Sequence, residues 1–168
     1  MREGFELREA GEADLDAVMQ VQARCYPPSM QEPREVVLSR IRAAGATSLV
    51  ACGPEGVCAY VFAYASLLGA VTRLDSAFHV AARPDTLYVH DLAVSPAALG
   101  KGLGKALVAR LFEHGRRHRL AHTALVSVQD SEAFWMGLGF APAAALDDAA
   151  RAALATYPGS ATYMTRNL

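Results

Sequence analysis

The sequence is short of everything that would place it in a membrane or on a nucleic acid. No run of about 18 apolar residues occurs, so no stretch reads as a membrane-spanning helix. The opening "MREGFELREAGEADL" has no apolar signal core. Net charge is close to absent, with 16 Lys and Arg against 17 Asp and Glu. That balance removes the electrostatic case for nucleic acid or an anionic membrane as partner. Cysteines number only three, Cys25, Cys52 and Cys58, without zinc-like spacing. They read as reduced thiols in the core, although Cys52 and Cys58 flank a Gly-Pro turn and are placed to face each other across a hairpin. His79, His114, His118 and His122 have no metal spacing, and the His114–His118 pair sits in a basic helix end. The expectation is a soluble, cytoplasmic protein without a metal.

What is present is globular. Hydrophobic residues make up 52% and charged residues 20%, well away from disordered composition. The 168 residues fit one domain spanning 1–168, without repeat or linker. "FELREA" alternates as a short strand. Asp14 is placed to cap a helix whose stripe is Leu15, Val18, Met19, Gln22 and Cys25, stopped by "YPP". Pro33 opens a second helix, which Gly45 ends. "TSLVAC" and "GVCAYVFAYAS" form a hairpin about "GPEG". Residues 67–84 have no clear period. "TLYVHDLAV" is a central strand with few charges. Leu103, Leu107, Val108, Leu111 and Phe112 then mark a helix to about His118. "HTALVSVQ" is a strand, "DSEAFWMGLGF" a short helix closed by Gly139, residues 143–156 a short Ala-rich helix, and "ATYMTRNL" the last strand. This order is mixed α/β, a partly parallel sheet with helices on its faces.

The densest signal is "VSPAALGKGLGKALVARL", Val94 to Leu111, with Gly100, Gly102 and Gly104 at alternate positions. A strand, a glycine-rich turn and a helix start together make an anion site. Backbone N–H groups converge there, the helix dipole favours negative charge, and glycines let oxygens approach. The plain alternative is a tight turn without a ligand. A P-loop needs a glycine where Leu99 stands and a hydroxyl where Ala106 stands, and a dinucleotide fingerprint needs a glycine at Lys105. Both fail.

"LAVSPAALGKGLGKALV", followed about 30 residues on by "AFWMGLGF", resembles the GCN5-related N-acetyltransferase (GNAT) superfamily, whose loop reads V-x-P-x-x-[RQ]-G-x-G-x-[GA] and whose later segment reads A-x-x-FY-x-x-LGF. The resemblance covers nearly the whole chain. It implies an α/β fold with a mixed, mostly antiparallel sheet of six to seven strands, splayed in the middle, and four to five helices on its faces. It also implies acetyl-CoA as acetyl donor, with the pyrophosphate cradled by Leu99, Gly100, Lys101, Gly102, Leu103, Gly104 and Lys105. The pantetheine arm would run along Leu92, Ala93 and Val94, and Ser131, Phe134 and Trp135 would contact the coenzyme. Two departures stand out. The loop's usual Arg or Gln is Leu99, where the main chain does most of the work. The usual Tyr, often the acid for the departing thiolate, is Trp135, and an indole cannot supply that proton.

The implied activity is direct acetyl transfer to a primary amine, on a small molecule or a protein amino group, by a monomer or homodimer. The other reading is a non-catalytic acyl-CoA sensor or regulatory module. An alkyl amine is mostly protonated at neutral pH, so a base helps. His90 is the candidate base; strand alternation puts Tyr88, His90 and Leu92 on one face and Val89, Asp91 and Ala93 on the other. A histidine satisfied within the sheet is the alternative. Asp91 is the rival base or a structural acceptor. Tyr163, on the last strand, is the candidate to replace the missing acid, or a core aromatic. Ser131 either contacts the coenzyme or caps a helix.

Overall fold

A computed structural model describes residues 4–143 and 145–168; residues 1–3, at the start of the stretch read as lacking a signal core, and residue 144, within the expected 143–156 helix, lie outside it. Seven strands form one sheet: β1 (Glu6–Glu9), β2 (Ser48–Gly53), β3 (Gly56–Ser66), β4 (Thr86–Val94), β5 (His122–Ser127), β6 (Ala141–Pro142) and β7 (Thr162–Asn167). Their order is β1-β2-β3-β4-β5-β7-β6. Every pairing is antiparallel except β4 with β5. Among the described residues the α-helices are α1 (Leu15–Cys25), α2 (Arg34–Ala44), α3 (Leu103–Arg117), α4 (Glu132–Met136) and α5 (Asp148–Leu154). This is the mixed, mostly antiparallel fold the resemblance implied. No helix among the described residues is long and apolar enough to cross a membrane.

Helices cover both faces, so the central strands carry apolar side chains on both sides. One core joins Ala59, Val61, Ala63, Leu87 and Val89 to the α3 stripe of Leu103, Leu107, Val108, Leu111 and Phe112. The other joins Tyr60, Phe62, Tyr64, Tyr88 and Ala93 to Leu15, Val18 and Val21 of α1 and Val37 and Ile41 of α2.

Three local expectations are corrected. Asp14 makes no side-chain cap to α1; its carboxylate instead takes the Gly11 N–H at 2.8 Å and a bidentate Arg8 at 2.7 Å. Cys52 and Cys58 do not face each other. A register shift pairs Cys52 with Val57, and the two thiols join opposite cores; all three cysteines are free and partly exposed. The third correction lies on β4. Phe62 pairs with Asp91 and Ala63 with Val89, so His90 is an extra residue, a β-bulge. The bulge resets the alternation. Tyr88, Asp91 and Ala93 face the α1–α2 side, with His90 among them, while Val89, Leu92 and Val94 face α3.

Candidate active site

The parallel ladder between β4 and β5 stops early. Thr86 to Val89 pair with His122 to Leu125, and beyond that both strands continue unpaired with each other. β4 keeps its partner β3 as far as Val94, so only its β5-facing edge is open, and free strand edges are templates for an extended chain. The resulting wedge is a cleft of about 170 Å³, walled by His90, Asp91 and Leu92 on one side and Leu125, Val126 and Val128 on the other. Tyr26, Val89, Gln129, Ser131, Phe134 and Trp135 complete it.

A second cleft of about 490 Å³ adjoins it, lined by Val94, Leu99, Gly100, Gly102, Leu103, Gly104 and Lys105. Leu92 and Phe134 line both and join them. Gly100 and Gly102 have φ of +75° and +77°, a backbone region that disfavours a Cβ. The first intrahelical bond of α3 runs from the Ala106 N–H to the Gly102 carbonyl, which leaves the N–H groups of Leu103, Gly104 and Lys105 without a helical acceptor. No acidic side chain lies in that first turn. A Cβ on Gly104 would stand 3.5 Å from Phe134 and 3.8 Å from Leu92, inside the junction of the two clefts. These features fit an anion at the helix start continued by an extended arm in the wedge.

The coenzyme candidates therefore gather in one place, with two exceptions. Lys101 does not line the loop cleft; its ammonium lies 5.1 Å from the Phe5 ring centroid. Ala93 faces the α1–α2 core and is buried. Ser131 makes no side-chain cap; its hydroxyl meets that of Ser127 at 3.0 Å. Trp135 is a wedge wall and a core residue at once, edge-on to both Phe134 and Phe140.

The catalytic candidates separate. Asp91 accepts the hydroxyls of Tyr26 and Tyr60 at 2.6 and 2.7 Å. Burial pushes its pKa up from the usual carboxylate range, and these two hydrogen bonds oppose the shift. Burial and the facing carboxylate push both tyrosines well up. The His90 side chain is 2% exposed, so the part of that residue lining the wedge is its main chain. Its Nε2 lies 3.0 Å from Glu32 and its Nδ1 3.5 Å from the Tyr157 hydroxyl. Tyr88 is fully buried beside it, with no hydrogen-bond partner for its hydroxyl. Tyr163 does not line the wedge; its hydroxyl accepts the Gly69 N–H at 2.8 Å and ties the 67–84 segment to β7. Sequence reasoning missed Tyr26 and Glu32. Tyr26 belonged to a helix-stop signal, and nothing local marks Glu32 as buried.

Against known proteins, residues 15–140 match the model of the acetyltransferase (GNAT) family. No curated protein has a matching sequence. Solved structures share the fold at low identity. The GNAT-like decarboxylase GphF, in complex with isobutyryl-CoA, has a TM-score of 0.77 at 17% identity, covering 96% of this chain and 98% of its own. The loading GNATL domain of CurA from Lyngbya majuscula has 0.75 at 11%, covering 97% of each. The ribosomal-protein-S18-alanine N-acetyltransferase of Escherichia coli has 0.70 at 17%, covering 97% and 93%. The class is thus the GNAT fold. This chain belongs to the acetyltransferase (GNAT) family.

Proposed function

We propose that this protein is an acetyl-CoA-dependent N-acetyltransferase that passes an acetyl group directly to a primary amine of a small molecule or a protein. The observation that carries the reading is the continuity of the open β4–β5 wedge with the cleft at the start of α3, through Leu92 and Phe134. Acetyl-CoA, when bound, supplies an acetyl group activated as a thioester. The free N–H groups at Leu103 to Lys105 hold its pyrophosphate, and the unpaired edge of β4 aligns its amide-bearing arm. Main-chain N–H groups near Ala93 and Val94 polarise the thioester carbonyl. Bond formation between the amine nitrogen and the acetyl carbon releases one proton from nitrogen, and cleavage of the C–S bond releases a thiolate. His90 takes the proton at Nδ1 through water, with Asp91 as the rival acceptor. The thiolate leaves without an acid from position 135, which its pKa near 8.5 tolerates.

A second reading, an acyl-CoA-binding module without turnover, is favoured by two observations: the indole at Trp135 and the enclosure of the His90 ring. Calorimetry with coenzyme A, followed by thiol release from acetyl-CoA across a panel of amines, separates the two. Binding with thiol release on at least one amine is the expected result. Binding with none on any amine supports the module, and no binding overturns both.

A further inference from the structure

We propose that Glu32 is a positioning residue for His90, holding the imidazole as the Nε2–H tautomer so that the Nδ1 lone pair is the one place on the ring for a proton. The proposal rests on reading His90 as the base.

Glu32 lies between α1 and α2, 58 residues from His90 in sequence, with a side chain only 3% exposed. A buried carboxylate costs several kcal/mol unless its oxygens are met by donors. Here every neighbour donates. Oε1 takes Arg40 Nη1 and stands 3.0 Å from His90 Nε2, and Oε2 takes the Asp75 N–H at 2.8 Å. Its main chain is fixed as well. The side-chain amide of Gln22 on α1, itself buried, gives its N–H to the Glu32 carbonyl at 3.0 Å and accepts the Glu32 N–H at 3.1 Å. The Arg40 guanidinium is anchored in turn on the Ser76 carbonyl. Three separate segments therefore set the position of one carboxylate, and the group it presents to His90 is an acceptor.

That arrangement determines the ring's proton. Burial pushes the Glu32 pKa up, but the hydrogen bonds and charges of His90 and Arg40 outweigh it and hold the group at about 2. An ionised carboxylate has no proton to give, so the contact with Nε2 requires the hydrogen to be on the nitrogen. On the other side, Tyr157 spends its single hydroxyl proton on the Thr72 carbonyl at 2.7 Å. Among the described residues no other group donates to Nδ1, so the neutral ring keeps its lone pair there. Tyr88, Asp91 and Tyr157 are the other titratable groups around the ring. A base whose second nitrogen is fixed by a buried carboxylate follows the general orienting logic of catalytic histidines.

The test uses the full-length protein with 15N-labelled histidine. Two-bond 1H–15N correlation at neutral pH reads the protonation of each ring nitrogen of His90 without any substrate. The expected wild-type spectrum has a protonated Nε2 and a bare Nδ1. Glu32→Gln places an amide N–H against these donors and is expected to abolish that preference. It is also expected to lower kcat about tenfold or more, with KM for acetyl-CoA changed less than about twofold. Because Glu32→Gln leaves Arg40 buried without a counter-charge, the double variant Glu32→Gln/Arg40→Met removes both charges and keeps the comparison in a folded protein. A wild-type His90 bearing its proton on Nδ1, or a folded double variant with unchanged tautomer and rate, overturns the proposal. Absence of turnover in the wild type overturns the acetyltransferase reading, while the spectrum still decides the tautomer.

Discussion

His90 and Asp91 point to the same side of the sheet although they are adjacent on one strand. Phe62 pairs with Asp91 and Ala63 with Val89, leaving His90 as the unmatched residue of a bulge. Such bulges re-aim side chains and end ladders. Here one residue both turns His90 toward Glu32 and lies at the end of the β4–β5 ladder, where the wedge begins.

Removal of the His90 imidazole tests its part in proton transfer. His90→Ala is expected to lower kcat/KM by about 10²-fold or more with coenzyme affinity little changed, because the wedge meets this residue through its main chain. His90→Gln is expected to fall equally far. Steady-state kinetics with the best amine of the panel decides it; a near-normal rate in the alanine variant moves the proton to Asp91 or to bulk water.

Gly104 tests the proposed coenzyme cleft more cleanly than Gly102. Gly102 sits at φ +77°, so a valine there strains the backbone as well as blocking the loop. At Gly104 a Cβ meets its neighbours at ordinary contact distances of 3.5 Å or more. Gly104→Val is therefore expected to stay folded and to weaken coenzyme A binding at least about tenfold, which is about 1.4 kcal/mol. Calorimetry beside a thermal melt measures both; unchanged affinity in a folded variant removes this loop from the site.

Trp135→Phe keeps an apolar ring where the family has a tyrosine. If no acid acts at this position, turnover stays within about tenfold of wild type, below the roughly 10²–10⁴ of general acid–base catalysis. The ring packs between Phe134 and Phe140, so the same change is expected to cost some stability. A larger drop in kcat with fold and coenzyme affinity intact assigns the indole a catalytic part.

Acid stability follows from Glu32. Its pKa falls from 4.5 unfolded to about 2 folded, so the unfolded state binds the proton more tightly. Its contribution is full above about pH 4.5 and is lost as pH falls toward about 2. Denaturant melts across that window are expected to show a shallower loss in Glu32→Gln/Arg40→Met than in wild type. Parallel curves place the acid sensitivity elsewhere.

Arg119 offers a stability change remote from the site. It is exposed, at φ +57°, one residue beyond His118, the C-cap of α3. There Leu120 N–H reaches back to the Gly115 carbonyl in the six-to-one bond of a helix stop. Glycine is the residue suited to that conformation. Arg119→Gly is expected to stabilise by about 1 kcal/mol, or about 2–4 °C in Tm. A lower melting temperature contradicts it.

The helices with strong stripes were legible because their burial is one-sided. Leu103, Leu107, Val108, Leu111 and Phe112 all lie in the core as their spacing required. The loop was legible because Gly100 and Gly102 adopt a backbone that few other residues accept. Around β4 the sequence misled. Alternation assumes an unbroken ladder, and a bulge leaves no mark in "TLYVHDLAV". Tyr163 read as a residue that reaches the site, but its hydroxyl is engaged by Gly69 on a loop with no period of its own.

By itself the sequence determined the family, the element order apart from the two-residue β6, and the glycine loop that opens α3, because each rests on local spacing and on backbone freedom at a few glycines. Tertiary structure decided which side chains surround His90 and Asp91. Glu32, Arg40, Gln22 and Tyr157 reach His90 from separate segments. Tyr26 reaches Asp91 across 65 residues. A buried charge is tolerable only where distant donors converge on it. That convergence is a property of packing, which no window of neighbouring residues contains.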